Sequence, residues 1–276
     1  MDKKKLRQFF QTEHIDELFD RSVVLKNGIP LPLEIEIGLV DACTRACKFC
    51  PRSNDEIAPR TSLRITPHLY RKIAKELKDL KFKGLVMISG YGESLLYPDV
   101  VDVVKTFNFT SVDITTNGDL LTRKMLADLK HAGINKILIS VYEKEGMLRF
   151  HKLTAGFEDI VILRNRYEHF DRLYNNRAGA LYQAPAIGTC YYPFYIMMVN
   201  ANGDVFACCH EWQRRLKMGN LYQKSIWDIW TSEYYDKLRK DLLLKKRSYF
   251  PCRICNVDGT LRGEQNFKIY SERGVQ

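Results

Sequence analysis

The residues best suited to chemistry are three cysteines that lie within eight positions of one another. They form the run Cys43-Thr-Arg-Ala-Cys47-Lys-Phe-Cys50, with C-x3-C-x2-C spacing. Three thiolates on one short loop can hold three corners of a four-iron, four-sulfur cluster, and the local sequence supplies no fourth ligand. One iron would remain open to bind another molecule, unlike the fully capped irons of bacterial ferredoxins. The spacing therefore predicts a cluster that performs chemistry.

Two alternatives stand beside this interpretation. Three cysteines can belong to a zinc site, although zinc usually takes paired C-x2-C knuckles. They can also be buried thiols that pack as small apolar side chains. Arg45, Lys48 and Arg52 make the loop polar, which argues against a core segment.

The eight cysteines form two groups, and this clustering favours metal or redox work over a disulfide framework. The second group comprises Cys190, Cys208, Cys209, Cys252 and Cys255. Metal and redox cysteines of this kind are typical of a reducing compartment, so we expect a cytoplasmic protein.

Composition sets the class of protein and its partners. The chain has 276 residues, 45% of them hydrophobic and 12% aromatic, which is typical of a globular protein with a sizeable core. No apolar stretch is long enough to span a membrane, and polar residues after Lys5 break any signal-peptide core. A net charge of +10 suggests a small-molecule substrate with an anionic group, or an acidic peptide; a solvated basic face is the alternative. No nucleic-acid-binding signature is present, so a nucleic-acid partner is not expected.

Apolar periodicity predicts strands that alternate with helices. The predicted strands span residues 32–40, 85–89, 112–115, 136–141 and 159–164. The predicted helices span residues 67–80, 98–107 and 122–132. This alternation is typical of βαβ units, so we expect an α/β fold whose parallel sheet is closed or partly closed into a barrel.

Polar groups follow the predicted strands in this first part of the chain. The cysteine loop follows the first strand, and Glu93, Asn117 and Ser140 lie at the ends of later ones. Because chemistry in such barrels takes place at the carboxyl ends of the strands, we expect these groups to share one rim.

The alternation of predicted strands and helices ends near residue 183. Residues 195–199 and 204–208 flank Asn202-Gly203, which favours a β-hairpin. A helix is predicted over 225–244, and the chain then reaches Cys252 and Cys255. We expect an N-terminal extension at 1–30, a barrel at 31–183 and a smaller domain at 184–276.

These features resemble the radical SAM superfamily. The C-x3-C-aromatic-C hallmark is met by Cys43, Cys47, Phe49 and Cys50, and Gly90-Tyr91-Gly92-Glu93 resembles the glycine-rich strand end of that family. The resemblance implies a partial (β/α)6 TIM-type barrel. It also implies that the open iron of a 4Fe-4S cluster binds S-adenosylmethionine (SAM) and splits it into a 5′-deoxyadenosyl radical. An electron donor such as flavodoxin or ferredoxin would reduce the cluster.

The resemblance assigns roles to positions of this chain. The three cysteines would hold the cluster, and Phe49 would lie beside the adenine. Glu93 would accept hydrogen bonds from the methionine ammonium group of SAM, on a turn formed with Gly90 and Gly92. Further candidates for cofactor contacts are Asn117, Ser140 and Arg164, for which a turn or surface role is the alternative.

The second part of the chain resembles the SPASM extension or its shortened twitch form, a β-hairpin plus helix. Cys190, Gly203 and Cys208 fit the beginning of its pattern, and Cys252 and Cys255 fit its C-x2-C. The resemblance implies one auxiliary 4Fe-4S cluster held by Cys190, Cys208, Cys252 and Cys255. A tetrahedral zinc site is the alternative.

Adjacent Cys208 and Cys209 have different expected roles. Successive residues on a strand point to opposite faces, so only one of them can serve the cluster. We expect Cys208 to be the ligand and Cys209 to be a free buried thiol, or else a hydrogen-atom donor to a substrate radical.

The expected function is dehydrogenation of a secondary alcohol on a sugar, aminocyclitol or similar polar metabolite, with the auxiliary cluster as electron acceptor. A second hypothesis is an epimerase or peptide maturase that uses Cys209 as hydrogen donor. Only about 30 residues precede the first predicted strand, which disfavours the peptide branch because such maturases often carry a leader-binding domain there. A third is a non-catalytic iron–sulfur or zinc-binding module.

Overall fold

The computed structural model describes residues 11–169, 175–186 and 188–273, so the first ten residues of the predicted N-terminal extension lie outside it. The helices are α1 (Glu13–Arg21), α2 (Pro67–Asp79), α3 (Val100–Phe107), α4 (Arg123–Ala132), α5 (Lys144–Thr154), α6 (Tyr192–Tyr195), α7 (Ile226–Trp230), α8 (Glu233–Leu243) and α9 (Glu264–Glu272). The strands are β1 (Leu25–Lys26), β2 (Ile29–Pro30), β3 (Glu34–Ile37), β4 (Leu85–Ile88), β5 (Ser111–Thr116), β6 (Lys136–Val141), β7 (Val161–Asn165), β8 (Ile196–Val199), β9 (Asp204–Phe206) and β10 (Lys217–Asn220).

One eight-stranded sheet organises the molecule, in the order β10-β9-β8-β3-β4-β5-β6-β7. The six strands from β8 to β7 in this order are all parallel to their neighbours. Strands β9 and β10 extend the sheet in antiparallel fashion. The predicted α/β fold with a partial barrel is therefore confirmed.

The helices begin where the sequence supplies caps and cover the outer face of the sheet. The Thr66 and Thr122 side chains accept hydrogen bonds from Leu69 N and Met125 N, which satisfies free amides at the starts of α2 and α4. The apolar stripe of α2 is fully buried and comprises Leu69, Ile73 and Leu77. This packing fixes the positions of the strand ends, where the candidate residues lie.

The predicted hairpin is present, but its first strand also completes the barrel sheet. Strand β8 pairs with β9 through Met198 and Phe206, and it lies parallel to β3 on its other side. The second hairpin strand ends at Phe206, so Cys208 and Cys209 follow the strand instead of lying within it.

The helix predicted over 225–244 is wrong as a single element. The structure has two helices, α7 and α8, because the Ser232 side chain accepts a hydrogen bond from Tyr235 N and starts a new helix. The strand predicted over 32–40 is also shorter, at Glu34–Ile37. Sequence periodicity did not predict α1 or α5.

Across residues 11–169, 175–186 and 188–273, no helix is long and apolar enough to cross a bilayer.

Candidate active site

The strand ends surround a central cavity of about 720 Å³. The three cysteines of the loop line it, as do Phe49, Gly90, Gly92, Glu93, Asn117, Ser140 and Arg164. The structure therefore places every residue of the predicted cofactor site on one cavity, and their individual roles stay predictions. Helix α1 closes the opposite end of the cavity with Ile15.

Arg45 fastens the cysteine loop to the barrel. Its Nε and Nη2 donate to the two carboxylate oxygens of Asp119, each at 2.7 Å, and Nη1 donates to Glu143. The Arg45 guanidinium holds the pKa of Asp119 below its usual range. Bidentate arginine–carboxylate pairs are both strong and directional, so this clamp orients the loop. Sequence reasoning missed it because the partners lie 74 and 98 positions away.

Glu93 is 3% exposed and links β4 to β5. Its carboxylate accepts hydrogen bonds from Thr116 Oγ1 at 2.5 Å, Asn117 N at 2.9 Å and Leu95 N at 3.1 Å. Burial raises the pKa of Glu93, and these hydrogen bonds oppose the rise. A carboxylate has about four acceptor positions, so one remains for an ammonium donor.

Asn117 joins the end of β5 to the cysteine loop. Its Nδ2 donates to Thr44 Oγ1 at 2.8 Å and lies 3.9 Å from Cys43 Sγ. Its backbone N–H donates a hydrogen bond to the Glu93 carboxylate. Asn117 therefore positions the loop, whatever contact it makes with a cofactor.

The backbone at Gly92 crosses directly over the entry to the cysteine loop. A Cβ at this position would lie 2.2 Å from the Val40 carbonyl oxygen and 2.6 Å from that of Ala42. The adjacent Glu93 N donates to Ala42 O at 2.8 Å. Only glycine permits this approach, which explains the glycine-rich turn in packing terms.

Two further pairs form the wall near the end of β6. Phe49 stacks on Tyr142 with ring centroids 5.6 Å apart. Arg164 Nη2 donates to Ser140 Oγ at 3.0 Å, and Arg164 Nε has no hydrogen-bond partner among the described residues. Both pairs leave polar or aromatic surface facing the cavity.

A second, small cavity of about 30 Å³ lies beside the first. It is lined by Cys190, Cys208, Cys252 and Cys255, with walls that are largely apolar. Its cysteines come from three separate segments, so the fold brings together the four that the sequence pattern grouped. Tyr192 and Val257 line both cavities.

Cys208 and Cys209 face different cavities. Cys208 lines the small cavity and Cys209 lines the central one. His210 follows them on the central side, 3.4 Å from Arg177 Nη1 and 3.2 Å from the Tyr192 hydroxyl. Burial and the nearby Arg177 lower the pKa of His210 to about 3.

Arg247 holds the cysteine-bearing segments of the small cavity together. Its guanidinium donates to the carbonyl oxygens of Gly188, Cys255 and Thr189 at 2.9 to 3.1 Å. Nothing in the local sequence indicates that Arg247 is buried.

Two family models match this chain, one over the part that carries the cysteine loop and one over the part that carries the cysteines of the small cavity. A sequence model of the radical SAM superfamily matches residues 37–152, and one of SPASM, an iron–sulfur cluster-binding domain, matches residues 190–256. These matches confirm the predicted resemblance.

Individual relatives cover different shares of the chain. The S-adenosyl-L-methionine-dependent 2-deoxy-scyllo-inosamine dehydrogenase of Niallia circulans is 29% identical over 80% of this chain and 92% of the relative. The probable GTP 3′,8-cyclase of Methanothermobacter marburgensis is 31% identical over 39% of this chain and 34% of its own length. The crystal structure of BtrN in complex with AdoMet and 2-DOIA has a TM-score of 0.76 and 27% identity, covering 86% of this chain and 98% of that one.

The predicted cofactors are SAM, a 4Fe-4S cluster and an auxiliary iron–sulfur cluster, and the family matches confirm them. The donor sets fit: the three thiols of the cysteine loop line the central cavity together, and four other thiols line the small cavity inside apolar walls. Among the described residues, no three His, Cys, Asp or Glu side chains form a site for a single metal ion.

Replacing Gly92 with alanine should remove the cluster of the central cavity. The new Cβ would overlap backbone carbonyl oxygens, which cannot move aside, so the cysteine loop must shift. We expect reconstituted protein to lose about four irons per chain, measured by iron and sulfide analysis. The matched control is Gly38→Ala, whose Cβ would have no contact closer than 3.5 Å. Equal iron in both variants would contradict the packing argument.

Replacing Arg247 with methionine should destabilise the small cavity and change its electrostatics. The change leaves several buried carbonyl groups without a donor, at a cost of about 3 kcal/mol. Loss of the buried positive charge should also lower the reduction potential of the auxiliary cluster, measured by EPR-monitored titration. The matched control is Arg253→Met, which removes an exposed arginine of the same segment. Identical melting temperatures and identical reduction potentials in the two variants would refute the proposed role of Arg247.

Proposed function

We propose that this chain, which belongs to the radical SAM superfamily, oxidises a secondary alcohol on an aminocyclitol, sugar or similar polar metabolite to a carbonyl. The observation that carries the proposal is the small cavity, where four cysteines supply a complete ligand set directly beside the central cavity. A fully ligated cluster suits electron acceptance better than substrate binding. Similarity to an inosamine dehydrogenase along most of both chains supports the same reaction class.

The reaction removes two protons and two electrons from the alcohol. These leave as one hydrogen atom, one proton and one electron. When bound, SAM and a cluster held by Cys43, Cys47 and Cys50 would supply the hydrogen-atom abstraction, and an auxiliary cluster held by the four cysteines of the small cavity would accept the electron. The chain itself binds and orients the substrate, supplies a base for the hydroxyl proton and excludes water.

The wall between the two cavities is thin. Tyr192 and Val257 line both, and the consecutive residues Cys208 and Cys209 face opposite sides. A substrate held against Cys209 would therefore lie close to the proposed auxiliary ligands, which suits direct transfer of the electron.

A second candidate is an epimerase or peptide maturase in which Cys209 returns a hydrogen atom to the substrate radical. The observation that favours it is the position of Cys209 on the central cavity instead of the small one. The two functions predict different fates for the substrate carbon, so product analysis separates them.

The proposal includes an external reductant, such as flavodoxin or ferredoxin, for the cluster of the cysteine loop. It also includes a reducing, cytoplasmic compartment, which agrees with eight cysteines that are all free thiols. The proposal also includes an anionic group on the substrate, and the net positive charge of the chain supports it. Arg164 and Arg177, which line the central cavity, would bind this group.

The dehydrogenase function predicts one SAM consumed for each carbonyl formed. The reason is that each turnover uses one hydrogen-atom abstraction and the hydrogen is not returned. The measurement is anaerobic turnover with quantified 5′-deoxyadenosine and ketone. SAM used in less than equal amounts, or a product at the oxidation level of the substrate, would contradict the proposal.

Alanine variants of the adjacent cysteines should behave differently. Cys208→Ala should lose about four irons per chain because it removes an auxiliary ligand, whereas Cys209→Ala should keep its iron. Both are measured after anaerobic reconstitution. In deuterated water, Cys209→Ala should still form ketone in the same yield as wild type. Deuterium in the wild-type product that disappears in Cys209→Ala would favour the epimerase instead.

A further inference from the structure

Two glutamates project from one strand into the central cavity. Glu34 and Glu36 lie two positions apart on β3 and therefore share a face, while Ile35 and Ile37 pack in the core on the other face. Both carboxylates line the cavity. Neither belongs to the cysteine loop nor to the predicted cofactor contacts.

Neither carboxylate has a cation within 4.0 Å in the part of the chain that the structure describes. Glu36 is only 7% exposed, and acidic side chains are almost never buried to this extent without a paired charge. The nearby Arg262 is already engaged, because it donates to Asp16 Oδ1 at 2.8 Å and to the Thr12 carbonyl at 3.0 Å. Among the described residues, the pair therefore has no cation in direct contact to neutralise it.

The electrostatics of the pair agree with a missing cation. Burial, together with repulsion from Glu36 and Asp113, raises the pKa of Glu34 to about 8, and Arg262 opposes this. Burial also raises the pKa of Glu36 to about 7, against hydrogen bonds from Ser89 and Cys209 and the charge of Arg177. Two neighbouring carboxylates repel each other when both are ionised, and a cation bound between them would remove this penalty.

We propose that Glu34 and Glu36 bind the ammonium group of the substrate. An ammonium carries three N–H donors, and two adjacent carboxylates offer it charge and acceptors together. This inference rests on the proposed function, and it restricts the substrate from polar alcohols in general to amino sugars and aminocyclitols. Glu34 and Glu36 are thus residues that determine specificity.

The position of the pair also orients the substrate. Glu36 pairs in register with Met87 and Met198, inside the barrel, whereas the cysteine loop follows the carboxyl end of β3. A ring held by its ammonium group at Glu34 and Glu36 would extend toward that end. The hydroxyl to be oxidised would then lie on the side of the cysteine loop.

The test is calorimetric binding to anaerobic, reconstituted protein with SAM and without reductant, so that no turnover occurs. The probes are matched pairs: 2-deoxy-scyllo-inosamine and other aminocyclitols and amino sugars, each with the same ring carrying hydroxyl in place of the amine. We expect wild type to bind at least one amine about 30-fold more tightly than its hydroxyl partner, with affinity rising from pH 6 to pH 8 as the carboxyls ionise.

Variants locate the preference. Glu36→Gln and Glu34→Gln should each reduce the amine preference by about tenfold or more, and Glu36→Asp should retain part of it. The control is Glu272→Gln, an exposed glutamate at the end of α9, which should match wild type. Iron content and thermal melting verify that each variant is folded.

Three results would overturn the inference: no amine preferred over its hydroxyl partner by wild type, a preference that survives both glutamine substitutions, or an affinity independent of pH. These results are independent of turnover. An amine preference that depends on Glu36, in a protein that forms no ketone, would reject the dehydrogenase while upholding the ammonium site.

Discussion

The rest of the site depends on the close backbone contact at Gly92. A carbonyl oxygen of the cysteine loop entry lies where any side chain would be, and Glu93 N donates to Ala42 O beside it. The Glu93 carboxylate then accepts a hydrogen bond from Asn117 N, which fixes the end of β5 relative to this contact. One glycine and one glutamate thereby align the loop with the neighbouring strand ends, so the predicted cluster ligands and the predicted cofactor contacts are joined by one set of backbone and side-chain contacts.

The parallel arrangement of six strands explains why functional groups from distant positions meet. Each strand ends at the same rim, so polar side chains placed after β3, β4, β5 and β6 converge without any local signal connecting them. The inner face of β3 carries two glutamates and its outer face two isoleucines. The strand period thus separates core packing from the proposed substrate contact within four residues.

Local patterns in the sequence predicted the parts of the structure that local physics controls. The helices α2 and α4 and the Asn-Gly turn all appear where the pattern placed them. The break between α7 and α8 was missed because Ser232 can cap a helix or lie inside one, and packing decides. The Arg45 clamp and the buried Arg247 depend on partners far along the chain, which no single-sequence pattern specifies.

Strand β8 connects the two halves of the molecule mechanically. It is hydrogen-bonded to β3 on one side and to β9 on the other, and β9 leads within two residues to Cys208. Adjacent Cα atoms across the Cys208–Cys209 peptide are about 3.8 Å apart whatever the protein does. A displacement of this segment would therefore shift the Cys209 wall of the central cavity and the proposed ligand Cys208 together.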